Sequence, residues 1–175
     1  MVRAVSAAAG IALIGVAVAG CGHADRPAAA PTTTSAGPIA PSPNTIGLCG
    51  GVADSDVEQA TGVPGLQRVA INPFSCGWQS AASGDYTVIF HWFRGAGLDA
   101  RRDQITDSTP ATVTVAGRSG LSWTSAQSCE VGVPFGGTDF IDWSIKAGTS
   151  ENGRPQPCSA LEQLAAETLA KAGQG

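Results

Sequence analysis

The sequence YTVIFHWF, residues 86–93, is the longest run of strand-forming residues in the chain. Aromatic and β-branched side chains fit a pleated sheet, and here they occupy both alternating sets of positions. A strand with apolar residues on both sides is covered on both faces, whereas a solvent-facing strand alternates apolar and polar residues. We therefore predict that residues 86–93 form a central strand of the sheet around which the domain is built.

Further segments typical of β-strands lie on both sides of this one. One precedes it, and four follow it as two predicted hairpins that turn at Gly117-Arg118 and at residues 134–137. Because hairpins join antiparallel neighbours, we predict a mostly antiparallel sheet of about five to seven strands. The five segments are residues 76–78, 113–115, 120–124, 129–133 and 139–145.

Helix signals lie before, between and after these strands. Residues 55–58 match a capping box and Gly62 follows as a stop, which predicts a short N-terminal helix. Residues 98–105 have a short helical pattern, and a second capping box at residues 159–162 opens a longer C-terminal helix. The sequence thus predicts an α+β fold with helices packed on the sheet. The apolar face of the last helix is predicted to contain Leu161, Leu164, Ala165, Leu169 and Ala172.

The N-terminal residues are typical of a secretory signal. Arg3 precedes an uncharged run from Ala4 to Gly20, in which 11 of 17 residues are Ala, Gly or Ser. A membrane-spanning helix needs about 20 predominantly apolar residues. We therefore favour a cleaved signal peptide over residues 1–20, with a retained membrane anchor as the alternative.

The segment Val18-Ala19-Gly20-Cys21 resembles the bacterial lipobox, in which a cysteine thiol is joined to diacylglycerol before the signal is removed. This predicts lipidation of Cys21 and anchoring to the membrane through its acyl chains. The alternative is that Cys21 forms a disulfide. With five cysteines in the chain, lipidation of one leaves four, which can form two bridges.

A linker is predicted between this cysteine and the domain. Residues 22–45 are rich in Pro, Thr and Ala and have no apolar periodicity. In an extended polyproline geometry such a linker reaches roughly 70 Å. We thus divide the chain into a signal peptide (1–20), a lipidated cysteine with its linker (21–45) and an α+β domain (46–175).

The cysteines of an exported domain are expected to form disulfides. No spacing is Cys-x-x-Cys, which argues against zinc and against a redox dithiol, so we predict no metal site. Three pairings can be drawn. We favour Cys49–Cys76 and Cys129–Cys158, each of which would tie a helix to a strand.

Charge excludes one class of partner. From residue 46 onward the domain has 13 acidic and 8 basic residues, a formal charge of −5. Nucleic acid is bound by clustered Lys and Arg, and the sequence contains no such cluster. We therefore predict that the partner is not a nucleic acid.

Two motifs are candidates for a catalytic or a cofactor site. His91 is the domain's only histidine and lies within an apolar strand, which favours a partly buried structural role over catalysis. Residues 95–100 fit the G-x-G-x-x-A dinucleotide pattern. The sheet is predicted to be antiparallel and no acidic residue ends the next strand, so a glycine turn is favoured and no cofactor is predicted.

Carboxylates and tryptophans supply the remaining candidates. A pair drawn from Asp99, Asp103, Asp139 and Asp142 would suit a carboxylate-based hydrolase if the two lay across a cleft. The four tryptophans would line a groove for a ligand or, as is favoured, fill the core. The tryptophans are Trp78, Trp92, Trp123 and Trp143.

Several of these motifs together resemble a known family. After the lipobox and linker come a cysteine before a short helix, Cys76-x-Trp78, the Gly117-Arg118 turn, Cys129-x-Val131-x-Val133, and a last helix opened by Cys158-Ser159. This order is similar to that of mycobacterial and related actinobacterial lipoproteins (Lpp/Lpr type) grouped under a domain of unknown function. The match covers most of the chain from Cys21 on.

The resemblance implies an exported, lipid-anchored α+β domain whose four cysteines correspond to those of the family, and it implies no enzyme activity. We therefore expect a non-catalytic protein on the extracytoplasmic side of the cell membrane that binds a ligand or partner there. The alternatives are an accessory subunit of a membrane complex and, less favoured, an envelope hydrolase that uses carboxylates.

Overall fold

The computed structural model describes residues 45–80, 86–148 and 158–173, all within the unit formed by residues 38–175. The predicted signal peptide, Cys21 and nearly all of the predicted linker lie outside the described residues. The described strands form one antiparallel sheet in the order β1-β2-β3-β7-β6-β5-β4. The strands are β1 (Gln67–Asn72), β2 (Ser75–Ser80), β3 (Tyr86–Phe93), β4 (Ala111–Val115), β5 (Arg118–Thr124), β6 (Ser128–Pro134) and β7 (Phe140–Lys146).

The α+β class, the antiparallel sheet and the interior position of residues 86–93 are confirmed. β3 lies between β2 and β7 and pairs with both in antiparallel register. β1 was not predicted. All six of its residues are exposed because it forms an edge of the sheet, so it lacks the apolar alternation that marks a half-buried strand.

The helices are α1 (Asp54–Thr61), α2 (Leu98–Gln104) and α3 (Ser159–Lys171), and a short 3₁₀ helix, Leu48–Gly51, precedes them. Gly62 ends α1 as predicted, with φ +65° and its N–H donated to the Glu58 carbonyl. α1 begins two residues earlier than the capping box predicts: Ala53 is the N-cap in place of Ser55, and Asp56 accepts the Ala53 N–H in place of a bond from Ser55 N–H to Glu58. No helix in the described part of the chain is both long enough and apolar enough to cross a bilayer.

One face of the sheet, here called the helix face, forms the core against α1 and α3. Trp78 and Trp143 stack there with ring centroids 5.6 Å apart, and both are fully buried. The indole N–H of Trp78 donates to Asp54 of α1, and that of Trp143 donates to Thr168 of α3. These bonds satisfy the polar edge of each indole, so the rings can be buried at little cost.

Both predicted disulfides are present. Cys49–Cys76 joins the 3₁₀ helix to β2, and Cys129–Cys158 joins β6 to the residue before α3. They close loops with sequence separations of 27 and 29 residues. On the chain-entropy model each contributes about 3–4 kcal/mol by restricting the unfolded chain.

Candidate functional site

The face of the sheet opposite the helix face, here called the α2 face, buries titratable groups at its centre. His91 on β3 pairs in register with Asp142 on β7, which in turn pairs with Gly132 on β6. Alternation along β6 places Glu130 on the same face as Gly132. Asp142 is only 3% exposed, although carboxylates are seldom fully buried without a partner.

Gly132 allows the Leu98 side chain to approach the sheet closely. A Cβ at this position would lie 2.5 Å from Leu98 Cδ1, 3.4 Å from Trp123 Cζ3 and 3.8 Å from Asp142 Oδ2. Leu98 belongs to α2 and Trp123 to β5, so the helix and two strands meet at this point. Any larger residue would therefore displace the Leu98 side chain.

Helix α2 is held over this face by few contacts. None of its residues is fully buried. Arg101 donates two hydrogen bonds to Glu130, Nε to Oε1 at 2.7 Å and Nη2 to Oε2 at 2.8 Å. This bidentate ion pair and the close approach of Leu98 to Gly132 both connect α2 to β6.

The Asp142 carboxyl is a poor acid in this site. Burial is the largest cause that raises its pKa well above the ordinary value, and the neighbouring Glu130 carboxylate raises it further, while Arg101 opposes the shift. With both carboxylates ionised, Asp142 Oδ2 has no hydrogen-bond partner, whereas the protonated carboxyl can donate to Glu130, which also raises its pKa. The site beneath α2 therefore favours the protonated form of Asp142.

His91 favours its neutral form. Burial lowers the pKa of its imidazole, the charge of Arg101 lowers it further, and Glu130 opposes this. His91 is half-buried and its ring lies 5.4 Å from that of Phe93. The predicted role as a partly buried residue agrees with this position, but His91 also borders the carboxyl pair.

A polar cavity of about 160 Å³ adjoins the Arg101–Glu130 pair. The indole Nε1 of Trp123, one of the cavity's lining residues, is buried and has no hydrogen-bond partner. A buried N–H without an acceptor costs about 1–3 kcal/mol, so an acceptor that enters the cavity would be stabilised by that donor. The cavity is lined by Arg101, Ile105, Asp107, Ser108, Trp123, Ser125, Ser128 and Glu130.

The four predicted tryptophans do not share one groove. Trp78 and Trp143 are in the core on the helix face, and Trp123 is on the α2 face with 3% exposure. Trp92 lies near the end of β3, where it contacts Phe74 and Phe135. Trp123 is thus the one tryptophan of the four that borders the cavity beneath α2.

The carboxylates proposed for a hydrolase are divided between two environments. Asp99 and Asp103 form exposed ion pairs with Arg102 on α2. Asp139 pairs with Arg94 and also accepts the Gly95 N–H. Asp99 and Asp139 line one cleft of about 370 Å³, whereas Asp142 is buried beneath α2.

Residues 95–100 form a turn between strand and helix. Gly95 has φ +70°, and Gly97 precedes the first residue of α2. Both sheet neighbours of β3 are antiparallel to it, whereas dinucleotide binding by this motif requires a parallel βαβ unit. Within the described residues, no group of three or more His, Cys, Asp or Glu side chains is arranged to hold a metal ion.

These features define a class: a small, disulfide-bonded α+β domain with one antiparallel sheet, a core beneath two helices and a polar site beneath a third. The chain belongs to the family described as "Protein of unknown function (DUF3558)", whose model matches residues 16–171. The resemblance drawn from the sequence is therefore confirmed.

Mycobacterial relatives share most of the chain's length. It is 29% identical over 171 residues to "Putative lipoprotein LprB" of Mycobacterium leprae, covering 87% of this chain and 86% of the relative. It is 30% identical over 172 residues to the proteins of that name from Mycobacterium bovis and Mycobacterium tuberculosis, covering 88% of each chain. No solved structure gave a significant match.

Proposed function

We propose that this chain is a non-catalytic protein, anchored by lipid on Cys21 to the outer face of the cytoplasmic membrane, whose domain binds a small polar ligand beneath α2. The observation that carries the ligand proposal is the polar cavity of about 160 Å³ beside the Arg101–Glu130 pair. Trp123 lines this cavity, and its buried indole Nε1 has no hydrogen-bond partner.

The chemistry of the site specifies the kind of ligand. Trp123 Nε1 supplies a donor, and Ser125 and Ser128 supply hydroxyl groups that can donate or accept. Arg101 is already committed to Glu130, so the site offers no free strong cation to a dianion. A compact, neutral or singly charged molecule with both donors and acceptors fits this site and the cavity's volume of about 160 Å³.

The short helix α2 supplies a route of entry. Because it is held mainly by the Arg101–Glu130 pair and Leu98, it can move without disturbing the core on the helix face. Segments with few buried contacts open at a lower free energy than the core of a domain. We propose that α2 acts as a cover over the ligand.

The anchor is supported by the lipobox at residues 18–21 and by the relatives' printed name, "putative lipoprotein". A single acyl chain holds a protein only marginally, whereas two or more hold it firmly. Diacylglycerol on Cys21 supplies two chains. The proposed protein therefore remains on the membrane while its domain samples the space within reach of the linker.

A carboxylate hydrolase is the second candidate, and the cleft lined by Asp99 and Asp139 favours it. Both carboxylates already form ion pairs, with Arg102 and Arg94 respectively, and this supports binding over acid–base chemistry. Loss of a glycosidase activity in both Asp99→Asn and Asp139→Asn would establish the hydrolase instead.

The ligand proposal is tested by native mass spectrometry of the protein purified from its own membrane. We expect a bound small molecule in the wild-type protein and its loss in Trp123→Phe, which removes the indole N–H and keeps an aromatic ring. Trp92→Phe is the matched control, because it removes another buried, unpartnered indole N–H away from the site. Equal retention by both variants would contradict the proposed site.

A second pair of variants tests the space at Gly132. Gly132→Ala places a methyl group 2.5 Å from the end of the Leu98 side chain, and we expect it to displace α2 and the ligand. Gly77→Ala is the control on the same face of the sheet, since its Cβ would make an ordinary 3.6 Å contact with Ala70. Full ligand occupancy in Gly132→Ala would place the ligand elsewhere.

A further inference from the structure

We propose that an apolar patch beside the point where the linker enters the domain docks on the anionic surface of the bilayer. The patch consists of Leu48, Val69, Ile71 and Phe74, with Trp92 and Arg94 at its border. This inference rests on the proposed lipid anchor at Cys21 and adds an orientation of the domain to it.

The patch gathers the large apolar side chains that are exposed in the described residues. Leu48, Val69, Ile71 and Phe74 are 53%, 58%, 55% and 46% exposed, respectively. Single exposed apolar residues are common on protein surfaces, but contiguous groups mark interaction sites.

Phe74 joins the patch to its border, and a disulfide connects the segments that carry Leu48 and Ile71. Phe74 lies 5.9 Å from Trp92, ring centroid to ring centroid, and its carbonyl accepts the Trp92 N–H at 2.7 Å. Ile71 pairs in register with Cys76, which is bonded to Cys49, the neighbour of Leu48. The disulfide thus links the 3₁₀ helix to the β1–β2 hairpin that carries the other members.

The chain reaches the domain beside this patch. Thr45, the first described residue, lines a cavity of about 390 Å³ together with Trp92 and Arg94. Residues 22–44 separate Thr45 from Cys21. A linker of this length keeps the domain at an effective concentration of roughly millimolar near the bilayer, so even a weakly attractive patch would be docked much of the time.

The chemistry of the border suits the lipid–water interface. The Arg94 guanidinium lies 5.0 Å from the Trp92 ring centroid, and its side chain is 61% exposed despite a pair with Asp139. Aromatic rings and arginines are favoured at this depth, and each basic residue near an anionic leaflet contributes about 1 kcal/mol.

A bilayer fits this surface better than a partner strand does. β1 is an edge strand, but its register with β2 shifts between Arg68 and Ala70, with Val69 in the irregularity. Such bulges twist an edge strand and protect it against added strands. The side chains of the patch, rather than the backbone edge of β1, are therefore the elements available for contact.

The test is amide hydrogen exchange of the acylated chain in nanodiscs that contain phosphatidylglycerol. The reference is a soluble chain that begins at residue 22 and so lacks both the signal peptide and the acylated cysteine. We expect exchange in residues 67–80 to be slowed about fivefold or more on the bilayer. Exchange in residues 111–115, at the other edge of the sheet, should not change.

Paired variants make this result specific. Ile71→Glu/Phe74→Glu should abolish the slowing, whereas Thr112→Glu/Thr114→Glu, with equal added charge on exposed residues of β4, should preserve it. All four positions are exposed, so both variants are expected to fold, as melting temperatures would verify.

The outcomes separate this inference from the anchor itself. If the acylated chain shows no slowing at residues 67–80, docking is overturned while the anchor stands. If the mass shows no acyl groups, the anchor and the docking that depends on it both fail. Slowing that appears in the soluble chain and rises with protein concentration would assign the patch to a second copy instead.

Discussion

At the scale of single residues, Asp142 governs how stability depends on pH. Its raised pKa means that the folded protein retains a proton which the unfolded chain releases above about pH 4. The free energy of unfolding should therefore fall as the pH rises from about 4 through the folded pKa, and then level off. Glu130, Arg101 and His91 face this carboxyl and shape the curve.

His91 acts in the opposite direction. Its lowered pKa means that its contribution is present above about pH 6.5 and is lost as the pH falls. Because every variant compared below retains His91, differences between their pH profiles of the free energy of unfolding report on Asp142 alone.

We predict that Asp142→Asn, which mimics the protonated carboxyl, removes the fall in stability between about pH 4.5 and pH 7.5 that the wild type shows. The variant should be at least as stable as the wild type near pH 7.5. Urea unfolding across this range measures the effect, with Asp103→Asn, an exposed carboxylate, as the control. Parallel curves for wild type and Asp142→Asn would contradict the role assigned to this carboxyl.

The sequence contained part of this site. Residues 128–134 alternate between Cys129, Val131 and Val133 on one side and the remaining residues on the other, so Glu130 and Gly132 could have been placed on one face. Their meeting with Asp142 and Arg101 could not be predicted. It depends on the register of β6 with β7 and on where α2 lies, and both are set by contacts between segments distant in sequence.

At the scale of elements, α2 is the part of the domain whose attachment matters most for the proposed function. We predict that Arg101→Gln speeds amide exchange throughout Leu98–Gln104 and leaves α3 unchanged. Loss of this partly buried, bidentate ion pair should also lower the free energy of unfolding by about 1–3 kcal/mol, because Glu130 is left without its cation.

Arg102→Gln is the matched control for this experiment. Arg102 lies next to Arg101 on the same helix, but its pairs with Asp99 and Asp103 are exposed to solvent. Such pairs contribute about 0–1 kcal/mol. If exchange in α2 rises equally in both variants, Arg101–Glu130 is not what holds the helix.

Elements were predicted where burial gives them a pattern. The two hairpins after β3 follow from apolar alternation. Cysteine number predicts two disulfides but leaves three pairings, and the favoured pairing, in which each bridge ties a helix to a strand, is the one present. β1 was not predicted because its strand conformation comes from pairing with β2, whereas its side chains are exposed and show no apolar alternation. The predicted start of α1 was wrong because residues 55–58 match a capping box with Ser55 as the N-cap. In the structure the N-cap is Ala53, and its backbone N–H donates to the Asp56 carboxylate.

At the scale of the whole molecule, the sheet separates two tasks. Its helix face holds the core, in which Trp78 and Trp143 are bonded to α1 and α3. Its α2 face has polar groups that the core does not need, around a glycine that lets Leu98 of α2 approach the sheet closely. Two disulfides stabilise this arrangement, so the α2 face can retain unpartnered polar atoms at some cost in stability.

The sequence supplied the class of fold and the family, but not the division of the sheet into a packed and a polar face. The tryptophans illustrate the reason. All four are equally apolar in sequence, and only the tertiary pairing puts two in the core, one at the β3 end and one beside the cavity. The ligand binding proposed for the domain is therefore argued from the structure, whereas the proposed anchoring of the protein to the membrane is argued from the first residues of the chain.

The proposed function depends on the claim that lipid on Cys21 anchors the protein to the membrane, and one measurement tests this claim most directly. It is the intact mass of the protein extracted from its own membrane, before and after reduction. We predict a chain that starts at Cys21, with diacylglycerol on its sulfur and four fewer hydrogens than the fully reduced form. A chain that retains residues 1–20, or that begins at Cys21 without fatty acid, would contradict the account.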